Sequence, residues 1–159
     1  MGPESWSAVA GGASAFAAAL SLVVTGIGLN YQRKTLQQTM RKNVIDALSY
    51  QVERANTSSM GKRDSEWTFP QFANIMLAVD TARNIVSRMD ELSGMKREEA
   101  VEFILERLDH NIVSSLKNGS PPDGAFKNIG PISEGLEMIY LWNNNAHFLG
   151  FTDVDFGIS

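Results

Sequence analysis

Cysteine is absent from all 159 residues. That excludes a disulfide framework and a cysteine-ligated zinc site. Histidine is scarce, with only His110 and His147. There is no Gly-rich phosphate loop, no G-x-S-x-G, no H-E-x-x-H and no C-x-x-C, so the common signatures of nucleotide binding, hydrolysis and metal chemistry are missing. No stretch sustains a period-two alternation of apolar and polar residues, so no sheet is expected. The net charge of −4 is too mild to imply a nucleic-acid partner for the chain as a whole.

Charge is also missing locally. Residues 5–32 contain no Asp, Glu, Lys or Arg. Residues 33–63 follow with seven Lys/Arg against two Asp/Glu, and residues 64–159 with seven against fifteen. The chain thus runs apolar, then basic, then acidic, an order that suits a membrane-anchored protein.

The charge-free stretch from Trp6 to Leu29 reads WSAVAGGASAFAAALSLVVTGIGL. As a helix it would be about 36 Å long, against roughly 30 Å of hydrocarbon in a bilayer. Trp6 and Tyr31 lie at its ends, and amphipathic aromatics settle at headgroup level. On its N-terminal side stands Glu4 with no basic residue; on the other stand Arg33, Lys34, Arg41 and Lys42. Positive residues stay in the cytoplasm, which predicts an outside N-terminus and a cytoplasmic C-terminal domain. The same four residues are the candidate membrane-surface contacts.

Three other readings compete. A cleaved signal peptide wants its basic residues before the apolar run, not after it. An interfacial helix needs a charged face, which this segment lacks. A buried core helix is the more serious rival, because Ala, Gly and Ser dilute the hydrophobicity. The small residues Ala13, Ala17 and Ser21 fall four apart, a spacing that lets helices approach closely within a bilayer. They are the candidate helix-association face of a possible homo-oligomer.

Beyond Tyr31 the first helix is expected to continue to about Ala55, since no Pro or Gly interrupts it. Leu36, Met40, Val44, Leu48 and Val52 form a four-residue stripe that fits packing against other helices. Residues 56–67 are polar, contain Gly61 and predict a loop. A second helix opens near Thr68, which has capping-box spacing to Gln71, with Pro70 in the first turn. Gly94 suits a left-handed position at its end. A third runs from about Arg97 to Asn118, with Glu98, Glu99 and Glu102 early and Val101, Ile104, Leu105, Leu108, Ile112 and Leu116 as its stripe. Residues 120–124 are turn-rich, and Gly130 and Pro131 open a fourth helix that Gly150 stops. The fold class is therefore all-α: a transmembrane anchor over 1–30, a basic amphipathic helix over 31–55, a linker over 56–67, and a three-helix distal domain, a small helical bundle, over 68–159.

Chemistry finds little support. His110 adjoins Asp109, but neighbouring helical residues point in different directions. Glu98, Glu102 and Glu106 share a face, yet no E-x-x-H joins them, so they read as a solvated acidic face. The most unusual local composition is Trp142, Asn143, Asn144, Asn145, His147 and Phe148, a polar patch framed by aromatics and the candidate recognition site. The expectation is a protein that is not an enzyme and takes no cofactor or metal. Its layout resembles that of many small bacterial and phage membrane proteins, a likeness of plan that carries no residue roles. The expected partners are the lipid bilayer and an unidentified protein docked at the inner membrane face. The alternative is a self-associating, membrane-active protein of the phage lysis or exclusion type.

Overall fold

The computed structural model describes residues 3–89, 93–118 and 132–151; side chains are described within these ranges except at 3–20, 22–24 and 132–136. All regular structure there is helical: α1 (Pro3–Ser59), a single 3₁₀ turn (Asp64–Glu66), α2 (Phe69–Ser87), α3 (Arg97–Arg107), α4 (His110–Asn118) and α5 (Ile132–Phe148). The turn-rich segment expected at 120–124, Gly130 and Pro131 lie outside the described residues, as do 152–159.

Helix α1 holds 57 residues, about 85 Å at 1.5 Å per residue. Its described side chains fall into two stretches with different surroundings. From Thr25 to Thr39 every residue is exposed, including Ile27, Leu29, Tyr31 and Leu36. From Val44 onward its stripe enters the core, with Leu48 and Ala55 fully buried. The expected stripe therefore splits: Leu36 is 48% exposed and Leu48 is 0% exposed, although both sit on the same four-residue repeat. The reason is length, because the shorter helices α2, α3 and α4 cover α1 from about Val44 onward and leave Thr25–Leu36 bare.

The expected loop at 56–67 is shorter than its polarity implies. Residues 56–59 continue α1, Ser59 is buried, and the chain reverses at Met60 and Gly61, both with positive φ (53° and 67°). Trp67 closes the turn, 2% exposed, its indole Nε1 donating to the Lys62 carbonyl at 3.2 Å.

Helix α2 starts as its sequence dictates. Thr68 is the N-cap, its backbone N–H donates to Gln71 Oε1 at 3.0 Å, and Pro70 occupies the first turn, where no N–H is needed. Phe72, Ile75, Met76, Val79, Ala82 and Val86 line its buried face. It ends at Ser87, earlier than Gly94, which does adopt the left-handed conformation (φ 63°) but in the connection to α3. A Cβ there would collide with the Gln37 side chain, so this glycine lets the connection press against α1.

The single helix expected over Arg97–Asn118 is two. Leu108 turns to an extended conformation (φ −71°, ψ 140°) and Asp109 caps α4 by accepting from the Asn111 N–H at 2.7 Å. The groups freed by the break bind α1. Asn56 Nδ2 donates to the Arg107 carbonyl at 2.8 Å, and Asn56 Oδ1 accepts from the Asp109 N–H at 2.7 Å. Ser59 Oγ donates to Asp109 Oδ2 at 3.3 Å, and Asn111 Nδ2 to the Gly61 carbonyl at 3.2 Å. One asparagine on α1 thus replaces the helical hydrogen bonds lost at the kink.

Helix α5 runs in the same direction as α2. Trp142 packs on Phe72 (centroids 5.6 Å apart), and one turn later Asn145 Nδ2 donates to the Met76 carbonyl at 2.9 Å. Gly150, at φ 83°, stops the helix as expected: its N–H bonds the His147 carbonyl at 3.0 Å, and the Phe151 N–H bonds the Ala146 carbonyl at 2.9 Å. A single apolar core takes residues from the second half of α1 and from α2 through α5.

Candidate functional site

The aromatic and asparagine patch on α5 is divided by the helix period. Trp142 and Asn145 are 0% exposed and Phe148 is 6% exposed, so these three face inward. Asn143 and Asn144 are half-buried, and His147 is exposed. The residues predicted as one recognition surface therefore do two jobs. Trp142 and Asn145 fix α5 against α2, while His147 and Phe148 reach a surface groove.

That groove lies between α3 and the C-terminal end of α5 and encloses about 470 Å³. Val101, Leu105 and Phe148 give it an apolar lining. Glu98, Glu102 and Glu106 follow along its α3 side, all exposed. Their four-residue spacing sets the carboxylates in a row about 12 Å long. Glu106 also lies 3.5 Å from the Arg107 guanidinium, which itself covers the Phe103 ring at 4.0 Å. Arg97 closes one end, its guanidinium 5.9 Å from the Phe148 ring centre. Beyond that contact a second hollow of about 500 Å³ opens beside Arg83 and Asn84. The Arg83 guanidinium is paired with Asp80.

Two sequence features create the groove. The Gly150 stop ends α5 after Phe148, so that one edge of this otherwise buried ring becomes part of the groove's lining. The repeat of Val101 and Leu105 one place behind Glu102 and Glu106 puts an apolar strip beside a charged one. Sequence reasoning assigns Val101 and Leu105 to the buried stripe, whereas both are only half-buried and line the groove. Finding them from sequence would require knowing where α5 ends relative to α3.

The basic collar is spread around α1 rather than gathered. Arg33, Lys34, Arg41 and Lys42 are all exposed. Arg41 pairs with Glu99 of α3, so it faces the bundle. Of the small-residue stripe, Ser21 is exposed and its carbonyl accepts from Thr25 Oγ1 at 2.8 Å; the side chains of Ala13 and Ala17 lie outside the described residues. His110 is exposed on the first residue of α4. Among the described residues no group of His, Asp or Glu is placed to hold a metal ion. Among them, too, no helix is long and apolar enough to cross a membrane; of the Trp6–Leu29 segment they include only the side chains of Ser21 and of residues 25–29. No family model matches the chain, and no curated protein or solved structure is similar to it.

Proposed function

We propose that the protein is a single-pass, membrane-anchored docking module. Residues 1–30 cross the bilayer with the N-terminus outside, and the helical unit over 68–159, which holds α2 to α5 and packs on the end of α1, binds a protein partner at the inner face. It acts by binding rather than by catalysis. The observation that carries this reading is that the uncharged residues 5–32 belong to a helix whose described side chains from Thr25 to Leu36 are all exposed. Exposed Ile27, Leu29, Tyr31 and Leu36 on a bare helix are costly in water and at ease in lipid or at its interface. One hydroxyl also fits. Thr25, within the proposed span, donates to the Ser21 carbonyl four residues back, so its hydroxyl does not need water. Arg33 and Lys34 then stand where the helix would leave the bilayer, close enough to an anionic leaflet to gain on the order of 1 kcal/mol each.

The test is partition. The full chain is expected in the membrane fraction after carbonate extraction, and residues 31–159 in the soluble fraction. Release of the full chain by carbonate would overturn the anchor. Residues 1–55 expressed alone should leave the membrane potential intact; collapse of the potential would favour the membrane-active alternative.

A further inference from the structure

The groove between α3 and α5 has a chemistry of its own, and it narrows the choice of partner. It is apolar inside, through Val101, Leu105 and Phe148, and acidic along one side, through Glu98, Glu102 and Glu106, with Arg97 as a single cation held against Phe148 at one end. A row of carboxylates beside an apolar strip repels anionic lipid, nucleic acid and any acidic peptide. That includes the chain's own C-terminal segment, where Asp153 and Asp155 alternate with the apolar Val154 and Phe156. A cationic ligand with one apolar face is drawn to it.

The geometry points to an amphipathic basic helix from another protein as the occupant of this groove. Its Leu- or Phe-class residues would fill the strip, and Lys or Arg repeated every four residues would meet the glutamates. The spacing is complementary because both rows then advance about 6 Å per step. Helix-in-groove recognition of this kind takes specificity from apolar anchors and orientation from the flanking charges. The proposal rests on the docking-module reading and gives it a partner class.

A second copy of this chain is the obvious rival, since Arg33, Lys34 and Lys42 are exposed on α1. Height argues against it. Arg41 pairs with Glu99, and Asn56 bonds the Arg107 carbonyl, so α3 stands level with residues 41–56 of α1. In a neighbour anchored in the same membrane, Arg33 and Lys34 would sit about 10–12 Å below the glutamate row. At the groove's own height the neighbour offers Lys42 and Arg54, but Asp46 and Tyr50 stand between them on the same four-residue repeat and Glu53 adjoins Arg54, so no unbroken basic row faces the glutamates.

The probe is a labelled 18-residue peptide carrying Lys at every fourth position beside a Leu face. It is titrated into the full chain in nonionic detergent, which does not require the anchor to insert, at physiological salt and followed by fluorescence anisotropy. Saturable binding is expected, at least tenfold weaker for a scrambled peptide of the same composition. The triple change Glu98→Lys, Glu102→Lys, Glu106→Lys should weaken it at least tenfold and create affinity for the matching Glu-bearing peptide. All three residues are exposed, and circular dichroism should show the fold unchanged. Equal binding of the scrambled peptide, or indifference to the triple change, would overturn the proposal. So would tighter groove-dependent binding of a peptide of residues 31–55, which would give the groove to a second copy. Because the assay reads the groove and carbonate extraction reads the anchor, either reading can fail without the other.

Discussion

Helix α1 carries its four-residue stripe, Leu36 to Val52, from one setting into another. Between Thr25 and Leu36 its apolar residues are exposed; between Val44 and Ala55 they pack into the core against α2, α3 and α4. Periodicity alone does not distinguish these halves. Charge does: the first half follows a stretch with no charge, and the second carries Asp46, Glu53 and Arg54 off its buried face. An apolar stripe on a charged helix seeks a protein core, whereas apolar residues on an uncharged one are equally at home in lipid.

The sharpest way to break this comparison is to make one change at both ends of the stripe. Leu48→Ala should cost about 2–5 kcal/mol of bundle stability, since the residue is fully buried and leaves a cavity. Leu36→Ala should stay within about 0.5 kcal/mol. Chemical denaturation of residues 31–159 measures both, and similar losses would mean that Leu36 is covered in solution. Next in size is Asn56→Ala. It strips partners from the Arg107 carbonyl and the Asp109 N–H at the α3–α4 break, and should cost about 1–3 kcal/mol. Hydrogen exchange should report faster opening of the Asp109 amide; an unchanged rate would mean that the kink holds without α1.

Gly94→Ala should be milder, at about 1–2 kcal/mol. It places a side chain at φ 63° and displaces the end of Gln37, which is flexible and can move. A thermal melt checks it, and an increase in stability would contradict the left-handed connection. The smallest effect is expected for Arg41→Gln. Its pairing with Glu99 joins two groups that are 45% and 41% exposed, so solvent screening should hold the loss below about 1 kcal/mol. A double-mutant cycle with Glu99→Gln measures the coupling.

What the sequence discloses here is mostly local. Thr68 and Gln71 announce the start of α2, Gly150 the end of α5, and the absence of alternation the absence of strands among the described residues. What it conceals depends on distant partners. The apolar period from Val101 to Leu116 continues across Leu108 and Asp109, so one helix is expected; the break is held by Asn56, more than fifty residues away. Trp142 and Asn145 look like a surface patch in WNNNAHF, and only the parallel course of α2 shows that they are buried in contact with Phe72 and Met76. His147 and Phe148 do reach the groove, but Val101 and Leu105, which complete it, bear no sign of that role in their own spacing.

The central proposal is that residues 1–30 cross the bilayer, with the N-terminus on one side and the bundle on the other. Because the chain has no cysteine of its own, single introduced thiols report position without interference. Ser5→Cys and Ser65→Cys, treated on intact cells with a membrane-impermeant thiol reagent, test the claim most directly. The account predicts labelling at position 5, and protection at position 65 until the membrane is permeabilised. Labelling of both positions, or protection of both, on intact cells would contradict it.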